Sequence, residues 1–262
     1  MISIVMPTYD RASTLGRAID SVQRQTHADW ELIIVDDGST DETQAVLEAA
    51  DDPRVRIVRH EANRGVTAGL NTGLDLVRGD WFTFLGSDDE MTPDALEAML
   101  DCARSTGANA ITCNCVDSVT GKMSGVGLES EGRVSAKAAS RARGEYWGMT
   151  ETRLLGDLRF DERLPGYEDA VWLRIHAAAR RYYLHRALRI YHTEGSDRIT
   201  GKDRKKPLRE KVRIYRLLGE DREYLRLMRL NDPRGYLETI VRVWAARMLH
   251  LVLADANATE SA

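Results

Sequence analysis

Trp30-Glu-Leu-Ile-Ile-Val-Asp-Asp-Gly-Ser-Thr-Asp41 and Trp81-Phe-Thr-Phe-Leu-Gly-Ser-Asp-Asp89 decide the fold. In each, a short apolar run stops at a pair of aspartates beside a glycine. Runs this short are strands rather than helices. A run that is apolar at consecutive positions suits a strand covered on both faces, as in a parallel sheet between helices. Glu31 to Val35 and Trp81 to Leu85 are therefore buried strands.

Working outward, the same reading recurs. Ile2 to Met6 is a strand ending at Pro7, Val55 to Val58 another, and Ala108 to Cys115 a third. Between them lie helical spacings. Leu15, Ala18, Ile19 and Val22 mark a helix within Ala12 to Thr26. Ser39-Thr-Asp-Glu42 fits a capping box opening a helix that runs to about Ala50. Val66 to Val77 is a further helix, and Thr92-Pro93 reads as an N-cap with Pro at the first helical position of a helix running to Arg104. Strand–helix alternation of this length predicts an α/β fold with a doubly wound, mostly parallel sheet flanked by helices. Ligands of such sheets bind beyond the carboxyl ends of the strands.

At those ends stand Pro7-Thr8-Tyr9-Asp10, Asp36-Asp37-Gly38-Ser39 and Gly86-Ser87-Asp88-Asp89. One aspartate is readily a cap or turn residue. Two carboxylate pairs on one sheet edge need compensating cations or donors. Carboxylates accept from a nucleobase N–H and from ribose hydroxyls. They repel a diphosphate unless a divalent metal bridges the two, and such a metal also stabilises a departing diphosphate. The chain has no Gly-x-x-x-x-Gly-Lys loop, which argues against a P-loop nucleotidase. It has no Gly-x-Gly-x-x-Gly after the first strand, which argues against a dinucleotide site.

Composition bounds the rest. With 262 residues, 43% of them hydrophobic, the chain can bury one substantial α/β core plus an appendage. Its net charge of −4 conceals a split: residues 1–100 sum to −11 and residues 101–262 to +7. The acidic half suits cations and the basic half anionic partners. The acidic half and a pI near 5.9 argue against nucleic acid as a partner. Three cysteines, Cys102, Cys113 and Cys115, are a poor disulfide framework and fit a reducing cytoplasm. Cys113 and Cys115 read as small residues on one face of a buried strand. The N-terminus lacks the pattern of a signal peptide, and no window is long and apolar enough to span a membrane.

Several stretches, in order, resemble the family 2 glycosyltransferases with the GT-A fold. They are Val5-Met-Pro-Thr-Tyr-Asp10, Ser21-Val-Gln-Arg-Gln-Thr26, the two aspartate-ended strands, Asn63-Arg-Gly65 with Asn71, Phe160-Asp-Glu-Arg-Leu164, and Gly166-Tyr-Glu-Asp-Ala-Val-Trp-Leu-Arg174. The likeness covers roughly residues 1–195. It implies an inverting transferase that moves a sugar from a nucleotide-diphosphate donor, with uridine favoured, to an acceptor hydroxyl in cell-surface polysaccharide or glycoconjugate synthesis. The cofactor it implies is a divalent metal, Mn2+ or Mg2+. Pro7, Thr8, Tyr9, Asp36 and Asp37 fall at nucleotide-binding positions, with Asp37 accepting from the base. Asp88 falls at the ribose or metal carboxylate, Asp89 at the principal metal ligand, and Asp169 at the general base, with Glu168 as its backup.

Other residues carry two readings. Arg64 is a diphosphate contact or a solvated helix-start residue. His192 is a third metal ligand or a structural histidine. Arg198 is a weaker diphosphate candidate, and Trp147 either stacks on a sugar or belongs to the core. The sequence departs from many relatives at Gly86, where they carry a further carboxylate, and at Leu70, where they carry Arg.

The expected organisation is a catalytic domain over 1–197, divided into a nucleotide-binding half (1–115) and an acceptor-binding half (116–197), then a basic, mainly helical extension over 198–262. Residues 116–145 read as a loop or hairpin excursion. Helices are expected over Glu168 to Arg181 and Tyr236 to Leu253, with the last eight residues frayed. The acceptor is a saccharide or a lipid-linked saccharide. Residues 198–216, with 9 basic and 2 acidic side chains, are a solvated face or a contact with anionic lipid on the inner membrane face. The terminal helix packs on the domain, on a second copy, or at that membrane surface. Two rivals to the transferase remain, a nucleotidyltransferase and a non-catalytic nucleotide-sugar-binding scaffold.

Overall fold

The computed structural model describes residues 1–139, 141–194 and 206–259. The first part alternates as β1 (Ile2–Thr8), α1 (Ala12–Gln23), β2 (Trp30–Asp36), α2 (Thr43–Glu48), β3 (Val55–Arg59), α3 (Val66–Leu74) and β4 (Trp81–Phe84). There follow β5 (Glu90–Met91), α4 (Ala95–Thr106), β6 (Ala110–Asp117), β7 (Gly132–Arg133), α5 (Ala136–Ala139), β8 (Tyr146–Glu151), α6 (Asp169–Ala178) and β9 (Arg181–Tyr191). The chain closes with α7 (Leu208–Glu220), α8 (Arg222–Asn231) and α9 (Pro233–Thr259).

All the strands share one sheet in the order β3-β2-β1-β4-β8-β6-β9-β5, with β7 on β9. β3, β2, β1 and β4 run parallel, and β6 runs parallel to β9. β8 is antiparallel to both β4 and β6. The sheet is thus mixed, with a parallel nucleotide-side wing and an antiparallel insert at its centre. Thr8 lies opposite Asp36, and Val5 opposite Phe84. The carboxyl ends of β1, β2 and β4 therefore open onto one edge.

The strand period of two explains the layers. Ile4, Met6, Leu32 and Ile34 face one way and pack with Leu15, Ala18, Ile19 and Val22 of α1. Val5, Ile33 and Val35 face the other way, against Leu76, Val77 and Phe84. Cys113 and Cys115 are fully buried on β6 within the first of these cores, and burial pushes the Cys115 thiol up to about 12. α7 and α8 join the body through Leu164, Ile214, Leu218 and Tyr224, packed against Tyr167, Ala170 and Leu173. Arg174 of α6 reinforces this joint by donating to both oxygens of Asp221, at 2.5 and 2.7 Å.

Several local expectations need correction. Ser39 does not cap α2. Its hydroxyl donates to Asp36 and accepts from the Asp10 N–H, and α2 begins only at Thr43. Thr92 does not cap α4; its hydroxyl donates to Asp94, the residue that precedes the helix. α3 stops at Leu74 and not at Val77. α6 stops at Ala178, because the chain turns at Ala179 into β9, a strand much longer than the Leu188–Tyr191 run suggested. α9 extends to Thr259, past the point where fraying was expected. Residues 116–145 form the expected excursion, with β7 and α5 as its short ordered pieces. The 197/198 boundary and Arg198 lie outside the described residues.

Candidate active site

The two aspartate pairs share the sheet edge and differ in what surrounds them. Asp36 is fully buried. One of its oxygens accepts from the Ser39 N–H at 3.0 Å and from the Ser39 hydroxyl, and the other lies 3.3 Å from Arg59. Asp37 is also buried. It takes the His60 ring Nδ1 at 2.6 Å, the Arg64 N–H at 3.0 Å and the Gly65 N–H at 2.7 Å. Gly38 turns between them with φ +76, and a Cβ there would stand 2.9 Å from the Ala62 backbone. This carboxylate pair holds the turn that leads into α3. Both Asp37 oxygens and one Asp36 oxygen thus have donors within the fold, while the other Asp36 oxygen has no hydrogen-bond donor and faces only the Arg59 charge.

Around them, Thr8 is buried with its hydroxyl unpartnered, whereas Tyr9 is exposed at the rim. Asp10 adopts φ 49 and accepts from the Thr40 N–H at 2.7 Å, closing the β1 loop onto the β2 loop. The Arg64 side chain is exposed and pairs with Glu162 at 3.3 Å.

Asp88 and Asp89 are arranged differently. A Cβ built on Gly86 would meet Asp88 Oδ1 at 2.8 Å and Asp89 Oδ2 at 3.0 Å. Both carboxylates therefore converge above a residue that has no side chain. Asp89 is buried, and its Oδ2 lies 3.2 Å from Arg189 Nε of β9. Its Oδ1 accepts from the His192 backbone N–H at 3.1 Å. Burial is the first cause that raises its carboxyl to about 6. Arg189 opposes the rise and the neighbouring Asp88 adds to it. Arg17 Nη2 donates to the Asp88 carbonyl at 2.6 Å and fixes this turn to α1.

His192 Nε2 lies 2.9 Å from Glu90 and its Nδ1 3.5 Å from Glu194, while its backbone N–H serves Asp89. Among the described residues, no group of three or more His, Cys, Asp or Glu side chains is placed to hold a metal ion.

Beside this pair opens a cleft of about 820 Å3, bounded by β4, β6, β8, α6 and α8. Asp169, Trp172, Trp147 and Arg189 all line it. Asp169, at the start of α6, is reached by solvent through the cleft. The protein packed around it raises its carboxyl above the ordinary range by desolvation. Glu168 accepts from the Gly166 N–H at 3.1 Å and supports the turn before the helix. Trp147 is buried in the main core. Its indole N–H donates to the Phe84 carbonyl at 2.6 Å, and the residue contributes to the cleft wall. Arg189 connects the two regions: it pairs with Asp89 on one side and lines the cleft on the other.

The model of glycosyl transferase family 2 matches residues 3–147. This chain is a family 2 glycosyltransferase. It is 32% identical over 208 residues to the GalNAc(5)-diNAcBac-PP-undecaprenol beta-1,3-glucosyltransferase of Campylobacter jejuni, covering 76% of this chain and 67% of that protein. It is 35% identical over 100 residues to the UDP-Glc:alpha-D-GlcNAc-diphosphoundecaprenol beta-1,3-glucosyltransferase WfgD of Escherichia coli, covering 38% of this chain and 40% of that one. Several relatives are thus longer than the shared part. The fold is that of S. aureus TarS in complex with UDP, at TM-score 0.70 and 17% identity over 92% of this chain and 69% of that one. A mannosyltransferase from Pyrobaculum calidifontis, in complex with GDP-Man and Mn2+, matches at TM-score 0.59 and 17% identity over 100% of this chain and 80% of that one.

Sequence reasoning missed Arg189, Arg17 and His60. Arg189 left a signal, a lone cation in the otherwise apolar run Leu188–Tyr191. Arg17 and His60 left none, because their partners are distant in sequence.

Proposed function

We propose that this glycosyltransferase moves a sugar, with inversion, from a uridine-diphosphate donor to a hydroxyl of a lipid-linked saccharide. The observation that carries the reading is the placement of Arg189, with the acidic pair on one side and the cleft holding Asp169 on the other. Donor and acceptor chemistry thus meet across one guanidinium. The names of the Campylobacter and Escherichia relatives support the donor and acceptor classes.

In this reading Pro7, Tyr9 and Arg64 line the nucleotide rim, and Asp88 faces the ribose and diphosphate. Asp88 and Asp89 fit a divalent metal. Oxygens of the two carboxylates converge closely over Gly86, and one of the carboxylates is buried with its charge disfavoured. With no three-ligand set of side chains, the donor's phosphates would complete the site. When bound, the metal would neutralise the departing diphosphate. Asp169 takes the proton from the acceptor hydroxyl as that oxygen attacks the anomeric carbon. Its raised affinity for a proton suits a base that must accept one. Arg189 orients Asp89. Trp172, stacked on Phe82 with centroids 6.4 Å apart, gives the cleft an aromatic wall for a sugar face.

The test is release of nucleoside diphosphate from a panel of nucleotide sugars with Mn2+ or Mg2+ and a lipid-linked acceptor. Asp169→Asn is expected to lower kcat by about 10^2–10^4-fold. Turnover at the wild-type rate would remove Asp169 as the base, and activity that survives complete chelation would remove the metal.

A lipid-linked acceptor also places the enzyme at a membrane surface. No helix among the described residues is long and apolar enough to cross one. Leu237, Val241, Trp244 and Met248 of α9 are all exposed, at 62, 66, 63 and 59%, with the spacing of a single helix face. We assign this face to anionic lipid. Sedimentation with phosphatidylglycerol vesicles that persists in Trp244→Glu/Met248→Glu would overturn the assignment. A dimer dissolved by the same pair of changes would point to a second copy.

A further inference from the structure

The cleft contains a half-buried cation that the mechanism does not use. Arg181 begins β9, and its Nη2 donates to the Thr112 hydroxyl of β6 at 3.3 Å. Its Nε is buried with no hydrogen-bond partner, and among the described residues no carboxylate pairs with it. His176 of α6 lines the same wall, its ring stacked on Trp172 with centroids 5.6 Å apart. Arg189, in the same cleft, is the contrast: it has both Asp89 and Glu145 as partners.

Removing a guanidinium from water without a counter-charge is unfavourable. Here the cost shows in the groups themselves. Burial lowers Arg181 to about 10. Burial, with the Arg181 charge second, lowers His176 to about 3. His176 is therefore neutral at ordinary pH. Arg181 carries the positive charge of this wall, and His176 and Thr112 supply hydrogen-bonding groups beside it.

We propose that Arg181, with His176 and Thr112, binds an oxyanion carried by the acceptor, a phosphate or a carboxylate. The claim rests on the reading of the cleft as the acceptor site. Its geometry adds a constraint. Asp169 and His176 are seven residues apart on α6, which is about 10 Å along the helix axis. The acceptor's charged group is thus held a short oligosaccharide's length from the hydroxyl that Asp169 deprotonates. An acceptor of this kind is anchored at both ends, by the base and by the cation, and neutral saccharides lack the second anchor.

The experiment follows the His176 ring resonances of the full chain, assigned with His176→Gln, during titration with inorganic phosphate and, separately, glucuronate. Saturating UDP keeps the nucleotide side filled. A saturable shift with phosphate alone identifies a phosphate-bearing acceptor, and one with glucuronate alone a carboxylate-bearing one; either supports the subsite. Arg181→Gln is expected to weaken the response at least about tenfold, the scale of one lost charge-assisted hydrogen bond, while Arg181→Lys keeps part of it. Absence of a shift with both anions in the wild type overturns the proposal even if Arg181→Gln does not fold. So does an undiminished response in a folded Arg181→Gln. The titration needs no turnover. Anion binding without nucleoside diphosphate release would sink the transfer reading alone, and release without anion binding would sink the subsite alone.

Discussion

Asp36–Asp37 and Asp88–Asp89 are the same dipeptide at the carboxyl ends of β2 and β4, on either side of β1, yet their surroundings differ. The first pair is rich in donors: the Ser39 hydroxyl, His60 and the N–H groups of Ser39, Arg64 and Gly65 reach it, and Arg59 lies beside the one Asp36 oxygen without a hydrogen bond. The second pair is short of donors. Among the described residues Asp89 has Arg189 and one backbone N–H, and its neighbour is another carboxylate crowding the same side of Gly86. A buried carboxylate with many donors is stabilised as an anion, and one with few gains from a nearby cation. The contrast lies in the partners and not in the aspartates.

The sharpest way to break this contrast is to neutralise each pair in turn. Asp89→Asn is expected to reduce kcat/KM on the order of 10^2–10^3-fold, by loss of charge stabilisation at the departing diphosphate. It should leave the melting temperature unchanged or higher, because it removes a charge that burial disfavours. Asp37→Asn should do the reverse. It weakens charge-assisted bonds to His60, Arg64 and Gly65, at about 2–3 kcal/mol of stability, and lowers kcat far less. Steady-state kinetics and thermal unfolding on both variants check the crossing. If Asp37→Asn lost as much activity as Asp89→Asn at full stability, the two pairs would not be different in kind.

A second effect, smaller and specific in sign, is the pH dependence of stability. The folded Asp89 carboxyl titrates near 6, above the 3.8 of an unperturbed aspartate. The folded state therefore holds a proton over an interval in which the unfolded chain has released it. This contribution is fully present below about pH 4 and is lost as pH rises towards 6. Asp89→Asn should flatten that part of the stability curve. Divalent metal should bind with proton release in the same interval and lose affinity below about pH 6. Thermal unfolding from pH 4 to 7, with and without Mn2+, measures both. A slope that persists in Asp89→Asn would assign it to another group, of which Asp169, also raised by burial, is the first to test.

The sequence made the frame legible where signals were local. Apolar runs too short for helices set β1 to β4, and the positions of α1, α3 and α4 followed from spacing to within a few residues. It could not separate the two aspartate pairs, because what distinguishes them is non-local. Asp37 is saturated by His60 and the 64–65 backbone, and Asp89 is balanced by Arg189, which β9 brings close only once β5 pairs with it. The capping box failed for a related reason. Asp36, buried beneath Ser39, competes for the hydroxyl that a helix N-terminus would otherwise have used. Arg181 was invisible in the same way. A basic residue expected at the end of a helix became the first residue of a strand, with its side chain turned into the cleft wall.

The smallest predicted effect tests why glycine stands at position 86. The family likeness places a further carboxylate there in many relatives, which would suggest that Gly86 weakens the metal site. The geometry argues otherwise. A methyl group at 2.8 Å from Asp88 Oδ1 and 3.0 Å from Asp89 Oδ2 is too close for either oxygen, so Gly86→Ala must push one carboxylate aside. Asp88, the less buried of the two and, among the described residues, without a counter-ion such as Arg189, is the one that can give way. Asp89 is held by Arg189 and the His192 N–H and should stay. Fold stability should hence change little, while Mn2+ affinity falls by roughly 10-fold, the scale of a lost supporting contact at a metal site. Metal titration of UDP binding in Gly86→Ala reads this directly. An unchanged affinity would mean that Asp88 contributes nothing to the site, and that Asp89 acts there without it.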